Sequence, residues 1–435
     1  MYMFSRFSIA SLALVAVLMV AGVTVAVESQ GRQGASGQQR NQLPPGAAKS
    51  SVEAMCASCH GLDLITESVG YNQADWKSLV ATMVMLPDGT ANQVAQYLAT
   101  NFPPSGKLRP NLIAGNATVT FREWTAPTLG QRARDPFQTK DGTIWWTGQF
   151  GSVIGRLNPT TGAMKEWKLE TEAHPHSIIM GPDGNVWYTG NGNGTVGKLN
   201  PASGAITVYK MPDPAARDPH TPAFDNNGTL WFTLQGANMI GRMNIQTGDV
   251  TFVTMARANV RPYGIRIDSQ GTPWVALRNS NAIARVDPKT MEIREYRTWG
   301  TAHMSNPQAG TRRLAIDSKD NIWFVESYRG YIGRLDPRTG EVKQWASPSG
   351  PDSHPYAIEV VDDVVWYNES GMRPDTLVRF DPRTEAFQSW AIPSGVGVIR
   401  NMSASPDGNL VIHQSMTNKV GLAIIGRAGD RQTRR

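Results

Sequence analysis

"DNIWFVESYRGYIGRLDPRTG" (residues 320–340) is one copy of a unit that recurs along most of this 435-residue chain. The unit joins a polar turn, a Trp followed by an aromatic or apolar residue, and a second turn of the form Asp/Asn-Pro-x-Thr/Ser-Gly. Successive copies of this Trp are 42 to 49 residues apart, and the seventh copy has Val in its place. The positions are Trp145, Trp187, Trp231, Trp274, Trp323, Trp366 and Val411. A period of this length is the signature of a repeat architecture.

Each copy contains four short alternating stretches separated by turns, as in "HSIIMGP", "NVWYTG", "TVGKLNP" and "AITVYKM" (residues 176–211). Asp-Gly and Asn-Pro-x-Ser-Gly sequences are typical of hairpin turns. Four strands in about 45 residues correspond to one propeller blade. The repeats therefore predict an all-β seven-bladed propeller with four-stranded blades over residues 117–426.

The two ends of the repeat region predict how the ring closes. "ATVTFREWTAP" (117–127) carries an outer-strand Trp but precedes the first blade, and the seventh copy stops before its fourth strand. We expect the N-terminal stretch to supply that missing outer strand, because closure removes an exposed sheet edge.

Two columns of residues are expected at one end of the central channel, because the first strand of a blade runs away from it and the second returns. The first column lies eleven residues before each Trp or Val411, with one deletion in the sixth copy: Arg134, His176, His220, Tyr263, Arg312, Tyr356 and Arg400. The second lies three residues after it: Gly148, Gly190, Leu234, Leu277, Glu326, Glu369 and Gln414. The polar first column predicts a ligand site on loops and strand ends of a rigid scaffold, with Tyr263, Arg312, Tyr356 and Arg400 as substrate-binding candidates. A water-filled polar mouth is the alternative.

"PHSIIMGPDGNVWYTG" (175–190) and the stretch at 320–340 resemble the virginiamycin B (streptogramin) lyases, which are seven-bladed propellers. The resemblance covers roughly residues 117–426 and implies Mg²⁺-dependent ring opening of a cyclic depsipeptide by elimination. It implies that His176 or His220 is the general base and that Glu326 and Glu369 bind Mg²⁺. The pattern departs from these lyases, which pair His and Glu within one blade, since here His176 is expected to face Gly190 and Glu326 to face Arg312.

Both cysteines of the chain lie in "EAMCASCHGL" (53–62). A structural disulfide usually closes a longer loop, a thioredoxin-type pair follows a strand, and a zinc site needs four ligands. The remaining interpretation is covalent haem c, with Cys56 and Cys59 forming thioethers and His60 as the proximal iron ligand.

The surrounding segments, 73–85 and 90–102, have helical periodicity. Together with the motif they are similar to a short c-type cytochrome, and we expect a small all-α domain over residues 51–104. This resemblance implies Met83, seven residues after Trp76, as the distal ligand, with Met85 as the alternative; a thioether ligand favours electron transfer.

The N-terminal segment predicts export. Residues 1–27 combine Arg6 with a long apolar stretch, as in a signal peptide, or alternatively an uncleaved membrane anchor. The protein is therefore expected in the periplasm or otherwise exported, with membrane contact only through an uncleaved segment. Residues 28–50 are expected to be a flexible linker, 105–116 a second linker, and 427–435 a basic tail. The net charge of +6 comes without a basic, aromatic-rich stripe, which gives no indication of nucleic-acid binding.

Three functions are consistent with this organisation. The first is an exported electron-transfer haem protein whose propeller binds a small molecule or a redox partner protein. The second is a lyase-like enzyme with an appended cytochrome, and the third is a non-enzymatic docking platform for a redox partner.

Overall fold

The computed structural model describes residues 42–57, 62–66, 68, 71–104, 108–299, 310–395 and 397–426. The predicted signal segment, Cys59, His60 and the basic tail lie outside these residues. Within the described part of the chain, no helix has both the length and the apolar character needed to cross a membrane.

A helical unit forms the N-terminal part. Its helices are α1 (Lys49–Cys56), α2 (Asp63–Thr66), α3 (Gln73–Ala81) and α4 (Asp88–Asn101). Helix α3 begins at a capping box, in which Asn72 and Asp75 bond each other's backbone amides. The unit begins before the predicted start at Ser51, because Leu43 is buried in its core and the Tyr97 hydroxyl donates to the carbonyl of Pro44.

The rest of the chain folds into seven antiparallel four-stranded sheets, which confirms the predicted propeller. Blades 1 to 3 contain β2 (Ala133–Gln138), β3 (Ile144–Gly148), β4 (Val153–Leu157), β5 (Met164–Lys168); β6 (Pro175–Met180), β7 (Val186–Gly190), β8 (Thr195–Leu199), β9 (Ile206–Lys210); and β10 (Pro219–Phe224), β11 (Leu230–Leu234), β12 (Met239–Met243), β13 (Val250–Thr254). Blades 4 and 5 contain β14 (Pro262–Ile267), β15 (Pro273–Leu277), β16 (Ala282–Val286), β17 (Ile293–Arg297); and β18 (Thr311–Ile316), β19 (Ile322–Glu326), β20 (Tyr331–Leu335), β21 (Val342–Ala346). Blades 6 and 7 contain β22 (Pro355–Val361), β23 (Val364–Glu369), β24 (Thr376–Asp381), β25 (Ala386–Ala391); and β26 (Ser403–Ala404), β27 (Leu410–Gln414), β28 (Lys419–Gly426), β1 (Thr118–Thr125). Short 3₁₀ turns at Thr171–Ala173 and Pro351–Ser353 precede β6 and β22.

Ring closure occurs as the sequence predicts. Strand β1 pairs with β28 along its whole length, from Thr118 opposite Gly426 to Thr125 opposite Lys419. The seventh blade is thus built from both ends of the propeller region, and β28 has no exposed edge.

The repeated Trp holds its own blade turn. In three consecutive blades the indole N–H of Trp231, Trp274 or Trp323 donates to the turn Asp six residues earlier, at 2.9 Å in each case. The second strand of each blade is buried along its length because it lies between neighbouring blades, whereas several outer strands, β5 and β9 among them, alternate between half-buried and exposed residues. The Trp repeat therefore marks the buried layer on which adjacent blades pack.

The helical unit lies on one face of the ring. Here the channel mouth means the end of the central channel where the first strand of each blade begins and the second ends. The backbone N–H of Gly130, in the loop entering β2, donates to the carbonyl of Thr82 at 2.6 Å. A cavity of about 370 Å³ lies between the two parts and is lined by Tyr71, Leu79 and Thr82 on one side and by Arg373 and Lys419, of blades 6 and 7, on the other.

The connecting segment follows the ring surface. The amide of Asn111 donates to the Ser349 hydroxyl. In β25, the outer strand of blade 6, the Ser389 hydroxyl accepts from the amide of Ile113 and the Ser389 amide donates to the carbonyl of Ile113. The predicted linker over 105–116 is therefore bound to the propeller along at least part of its length.

Candidate functional site

A bulge at the start of the first strand shapes the channel mouth. In blades 1 to 6 the pairing between first and second strands shifts register within their first few residues, as between Pro175 and Ile178. Pro175, not His176, lies opposite Gly190, and Thr311, not Arg312, lies opposite Glu326. The predicted facing of the two columns was therefore wrong by one residue, because the extra residue at the bulge is left out of the ladder.

Four predicted residues form a continuous chain of rings around the mouth. The rings of His176 and His220 lie 3.5 Å apart between centroids, and those of His220 and Tyr263 lie 4.1 Å apart. The hydroxyls of Tyr263 and Tyr356 are 2.5 Å apart. First-column residues from four different blades are thus in direct contact, as expected for side chains that project into one channel.

Both histidines are held in the neutral form. Burial, followed by the charges of Arg134 and Arg313, lowers the pKa of His176 and of His220 well below the ordinary value. A general base works best with a pKa near the operating pH, so each of these imidazoles would be a weak base in this environment.

The predicted arginines converge on the same place. The guanidinium of Arg312 lies 4.4 Å from the centre of the Tyr356 ring, and that of Arg400 lies 5.6 Å from it. Arg134 is 4% exposed and donates to the side chain of Gln149 at 2.8 Å. The structure therefore brings every first-column candidate to the mouth.

A buried ion pair at the mouth was missed from the sequence. Arg313 is fully buried and donates to the Asp135 carboxylate at 3.0 Å, to Thr221 at 3.0 Å and to the carbonyl of Arg400 at 3.0 Å. The hydroxyl of Ser177 also bonds Asp135. Asp135, Ser177 and Arg313 each follow a first-column residue by one position. In a regular strand, successive side chains point to opposite faces, so these three would point away from the channel. Because of the bulge, both the first-column residue and the residue after it point towards the channel.

His413 is a second residue that the sequence did not indicate. Its Nε2 accepts from the amides of Arg400 and Asn401 at 2.9 and 3.2 Å, so its Nδ1 carries the proton and donates to the carbonyl of Ala133 at 2.6 Å. Burial lowers its pKa to about 3. The neutral imidazole of His413 therefore links blade 7 to blade 1 through these hydrogen bonds.

The two predicted Mg²⁺ ligands are hydrogen-bonded by residues of their own blades and of the segments that enter those blades. Glu369 accepts four hydrogen bonds, from the hydroxyls of Ser347, Ser349 and Thr376 and from the amide of Ser349. Glu326 accepts from Thr298 at 2.6 Å and Thr311 at 3.0 Å, and burial raises its pKa. Among the described residues no group of three or more His, Cys, Asp and Glu side chains is arranged to hold a metal ion.

Of the predicted haem-binding residues, Cys56 ends helix α1 and Met83 lies in the turn after helix α3. Both are partly buried and pack against the core of the helical unit, whereas the Met85 side chain is 84% exposed. Cys59 and His60 lie outside the described residues.

Comparison with known proteins identifies the propeller. The model of the virginiamycin B lyase family matches residues 114–286 and 249–432, which together exceed half of the chain. A streptogramin B lyase structure superposes with a TM-score of 0.63 at 23% identity, covering 71% of this chain and 98% of that one.

Virginiamycin B lyase from Staphylococcus aureus superposes with a TM-score of 0.62 at 22% identity, covering 71% and 100% of the two chains. A catalytically inactive variant of that enzyme, with quinupristin, gives the same TM-score, identity and coverage. A search of curated proteins found no match. At these identities the structures show the fold alone, and it is the family model that leads to the conclusion: this chain belongs to the virginiamycin B lyase family.

Proposed function

We propose that the protein is an exported c-type haem protein in which an N-terminal cytochrome domain exchanges electrons with a small molecule or a redox partner bound at the channel mouth. The observation that carries this proposal is the Cys-x-x-Cys-His motif at residues 56–60, which has no role in a depsipeptide lyase. Its first cysteine ends helix α1 of a unit that packs on the mouth side of the ring.

The helical unit offers suitable surroundings for a haem. Cys56 and Met83 pack against one hydrophobic core, which supports Met83 over the exposed Met85 as the distal ligand. Trp76 is 2% exposed, and its buried indole N–H has no hydrogen-bond acceptor among the described residues. Such a donor is costly to bury alone, and a haem propionate would supply the missing acceptor. The bound haem would supply one-electron chemistry, with its potential set by the axial ligand.

The position of the unit supports coupling to the propeller. The amide of Gly130 donates to the carbonyl of Thr82, and a Cβ at Gly130 would come 3.3 Å from the carbonyl oxygen of Met83. Arg132 at the mouth follows Gly130 by two residues. The proposed distal ligand is therefore close to the channel residues, and no domain movement is needed to bring the two sites together.

The test is the spectrum of the full chain, expressed with a signal segment in a host that attaches haem c. We expect a pyridine haemochrome in the exported fraction and its loss in Cys56→Ala and Cys59→Ala. An exported, folded protein without covalent haem would contradict the proposal. Retention of the protein in the cytoplasm would contradict the proposed localisation separately. A screen of small metabolites for haem reduction, repeated with Arg312→Gln, would then identify the electron donor.

A lyase activity is the second candidate, and membership of the virginiamycin B lyase family favours it. In that case His176 or His220 would act as base and Glu326 and Glu369 would hold Mg²⁺. The depressed pKa values of the histidines and the four hydrogen bonds of Glu369 count against it. Incubation with quinupristin and Mg²⁺ tests the idea: ring-opened product that disappears in His220→Ala would support it, and its absence at high protein concentration would reject it.

A further inference from the structure

Positive charge is concentrated at the channel mouth beyond what the local carboxylates neutralise. Five arginines from blades 1, 5 and 7 converge there: Arg132, Arg134, Arg312, Arg313 and Arg400. In the described part of the chain, the carboxylate that bonds within this group is Asp135, and Arg313 is its hydrogen-bonding partner. The nearby Asp375 pairs with Arg373 at 3.5 Å. Several guanidiniums are therefore left without an anion.

These arginines also hold N–H groups that lack acceptors. Arg134 is 4% exposed, yet its Nε and one Nη form no hydrogen bond with the described residues, and its Nε is 3.9 Å from Asp135. The Nε atoms of Arg132, Arg312 and Arg400 are likewise buried without a partner. Leaving one buried donor unpaired costs about 1–3 kcal/mol, so four guanidiniums in this state indicate a missing acceptor.

The ring of Tyr356 and the surrounding arginines form the sides of the place where that acceptor would bind. Tyr356 lies beneath Arg312 and Arg400, and its hydroxyl is bonded to Tyr263. Arg134 is buried, whereas Arg132, Arg312 and Arg400 are half-buried. Small ligands commonly bind where a few polar groups converge in this way.

The pKa shifts of Tyr356 and Arg132 are consistent with a strong positive potential at the mouth. Burial alone would raise the pKa of Tyr356, but Arg312, Arg400 and Arg134 hold it well below the ordinary value. Burial, followed by Arg400 and Arg134, lowers the pKa of Arg132 to about 8. Both directions are those expected where several guanidinium groups lie close together.

We propose that the channel mouth binds an oxyanion, the carboxylate or phosphate group of a small molecule, held by Arg132, Arg134, Arg312 and Arg400 above the ring of Tyr356. Guanidinium groups present paired N–H donors that match the oxygens of carboxylate and phosphate. This proposal deepens the proposed function, on which it rests for the idea of a channel ligand, but it does not depend on the haem.

The test is calorimetric titration of the full chain at pH 7.5 and constant ionic strength, with inorganic phosphate in one arm and acetate in the other. We expect saturable binding of at least one anion with a stoichiometry near one. Binding of phosphate alone would assign a phosphate group to the ligand, and binding of acetate alone a carboxylate. Absence of saturable binding of both would overturn the proposal.

Substitutions then locate the site. Arg312→Gln and Arg134→Gln are expected to weaken binding by about tenfold or more, since each removes a charge-assisted hydrogen bond. Arg217→Gln, an exposed arginine in a loop on the same face, is the matched control and should leave Kd unchanged. Circular dichroism checks folding, and Arg312, which is half-buried, gives a second variant if Arg134→Gln fails to fold. Equal weakening in Arg217→Gln would indicate non-specific attraction and contradict the proposal.

The haem proposal is separated by two further measurements. A Cys56→Ala/Cys59→Ala variant is expected to keep anion binding. If the parent protein carries no haem but still binds the anion, only the proposed electron transfer is contradicted. If instead Arg312→Gln and Arg134→Gln shift the haem reduction potential and leave the anion Kd unchanged, the arginines serve the haem propionates and the oxyanion site is disproved.

Discussion

The guanidinium of Arg313 in blade 5 donates to the carboxylate of Asp135 in blade 1, at 3.0 Å and without solvent access to either side chain. The bond crosses the central channel and joins the first strands of blades 1 and 5, which are four blades apart along the chain. Gly264, in blade 4, lies close enough to Arg313 that a Cβ there would come 3.1 Å from the Arg313 Cα. The ring is therefore braced across its centre as well as around its circumference.

Loss of one partner of this pair should be severe. We expect Asp135→Leu or Arg313→Met alone to lower the free energy of unfolding by about 3–5 kcal/mol, because each leaves a buried charge without its partner. The double variant should cost less than the sum of the two, as measured by a double-mutant cycle in guanidinium. Lys343→Gln, in the exposed pair with Glu385, is the control and should barely change the melting temperature. Additive losses in the cycle would show that the pair does not act as a unit.

The proposal that Met83 is the distal ligand of a bound haem can be tested by a matched pair of substitutions. If Met83 is the ligand, Met83→Ala is expected to convert the reduced spectrum to that of a five-coordinate or water-ligated haem, because the partly buried Met83 packs against the same core as Cys56. Met85→Ala, which changes an 84% exposed side chain, should leave the spectrum unchanged. The reverse result would assign the ligand to Met85 and contradict the packing argument.

Acid should destabilise the propeller through its buried histidines. The folded pKa of His413 is about 3, below its ordinary value of 6.5, so the unfolded state binds more protons between these values. The stability contribution is complete above pH 6.5 and falls as the pH is lowered towards 3, by up to about 1.4 kcal/mol per pH unit for each such group. His176 and His220 shift in the same direction.

Unfolding at pH 7.5, 6.0 and 5.0 measures this dependence. His413→Gln should be less stable than the parent at pH 7.5 but show a shallower loss on acidification. His174→Gln, which changes a side chain 39% exposed, serves as the control and should keep the parental slope. An unchanged slope in His413→Gln would mean that the ring is not kept neutral by the fold.

Removal of the closing strand should expose an edge. A chain beginning at residue 117 retains β1, and we expect it to be monomeric and folded by size-exclusion chromatography and circular dichroism. A chain beginning at residue 127 lacks β1 and leaves β28 unpaired, so we expect association or loss of structure. Identical behaviour of the two chains would show that β1 is dispensable for the ring.

The seven-bladed ring could be predicted from the sequence because six blades repeat the same buried Trp, the seventh has Val411 in that position, and similar turns recur. Trp231, Trp274 and Trp323 each bond their own turn, so the motif and the local structure are one unit. The spacing also correctly predicted that first-column residues such as His176 and Tyr263 lie at one end of the channel. Both the number of blades and the position of the mouth could therefore be predicted from the local repeats.

Non-local features could not be read in this way. The bulge shifts pairing by one residue without any change in spacing, so Thr311 rather than Arg312 lies opposite Glu326. The contact of Arg313 with Asp135 joins positions 178 residues apart, and no repeat records it. The docking of Thr82 on Gly130 likewise depends on surfaces that come together only after folding.

The pairing of β1 with β28 also determines the order in which this molecule can be completed. During synthesis the strand at Thr118–Thr125 emerges first, and its partner at Lys419–Gly426 emerges about 300 residues later. The earlier blades can form their own hairpins in the meantime, but the circle remains open until the last strand arrives. A chain that ends before residue 419 therefore leaves β1 without its partner and β27 with an open edge. Such a truncated chain is expected to aggregate and not to form a slightly shortened ring.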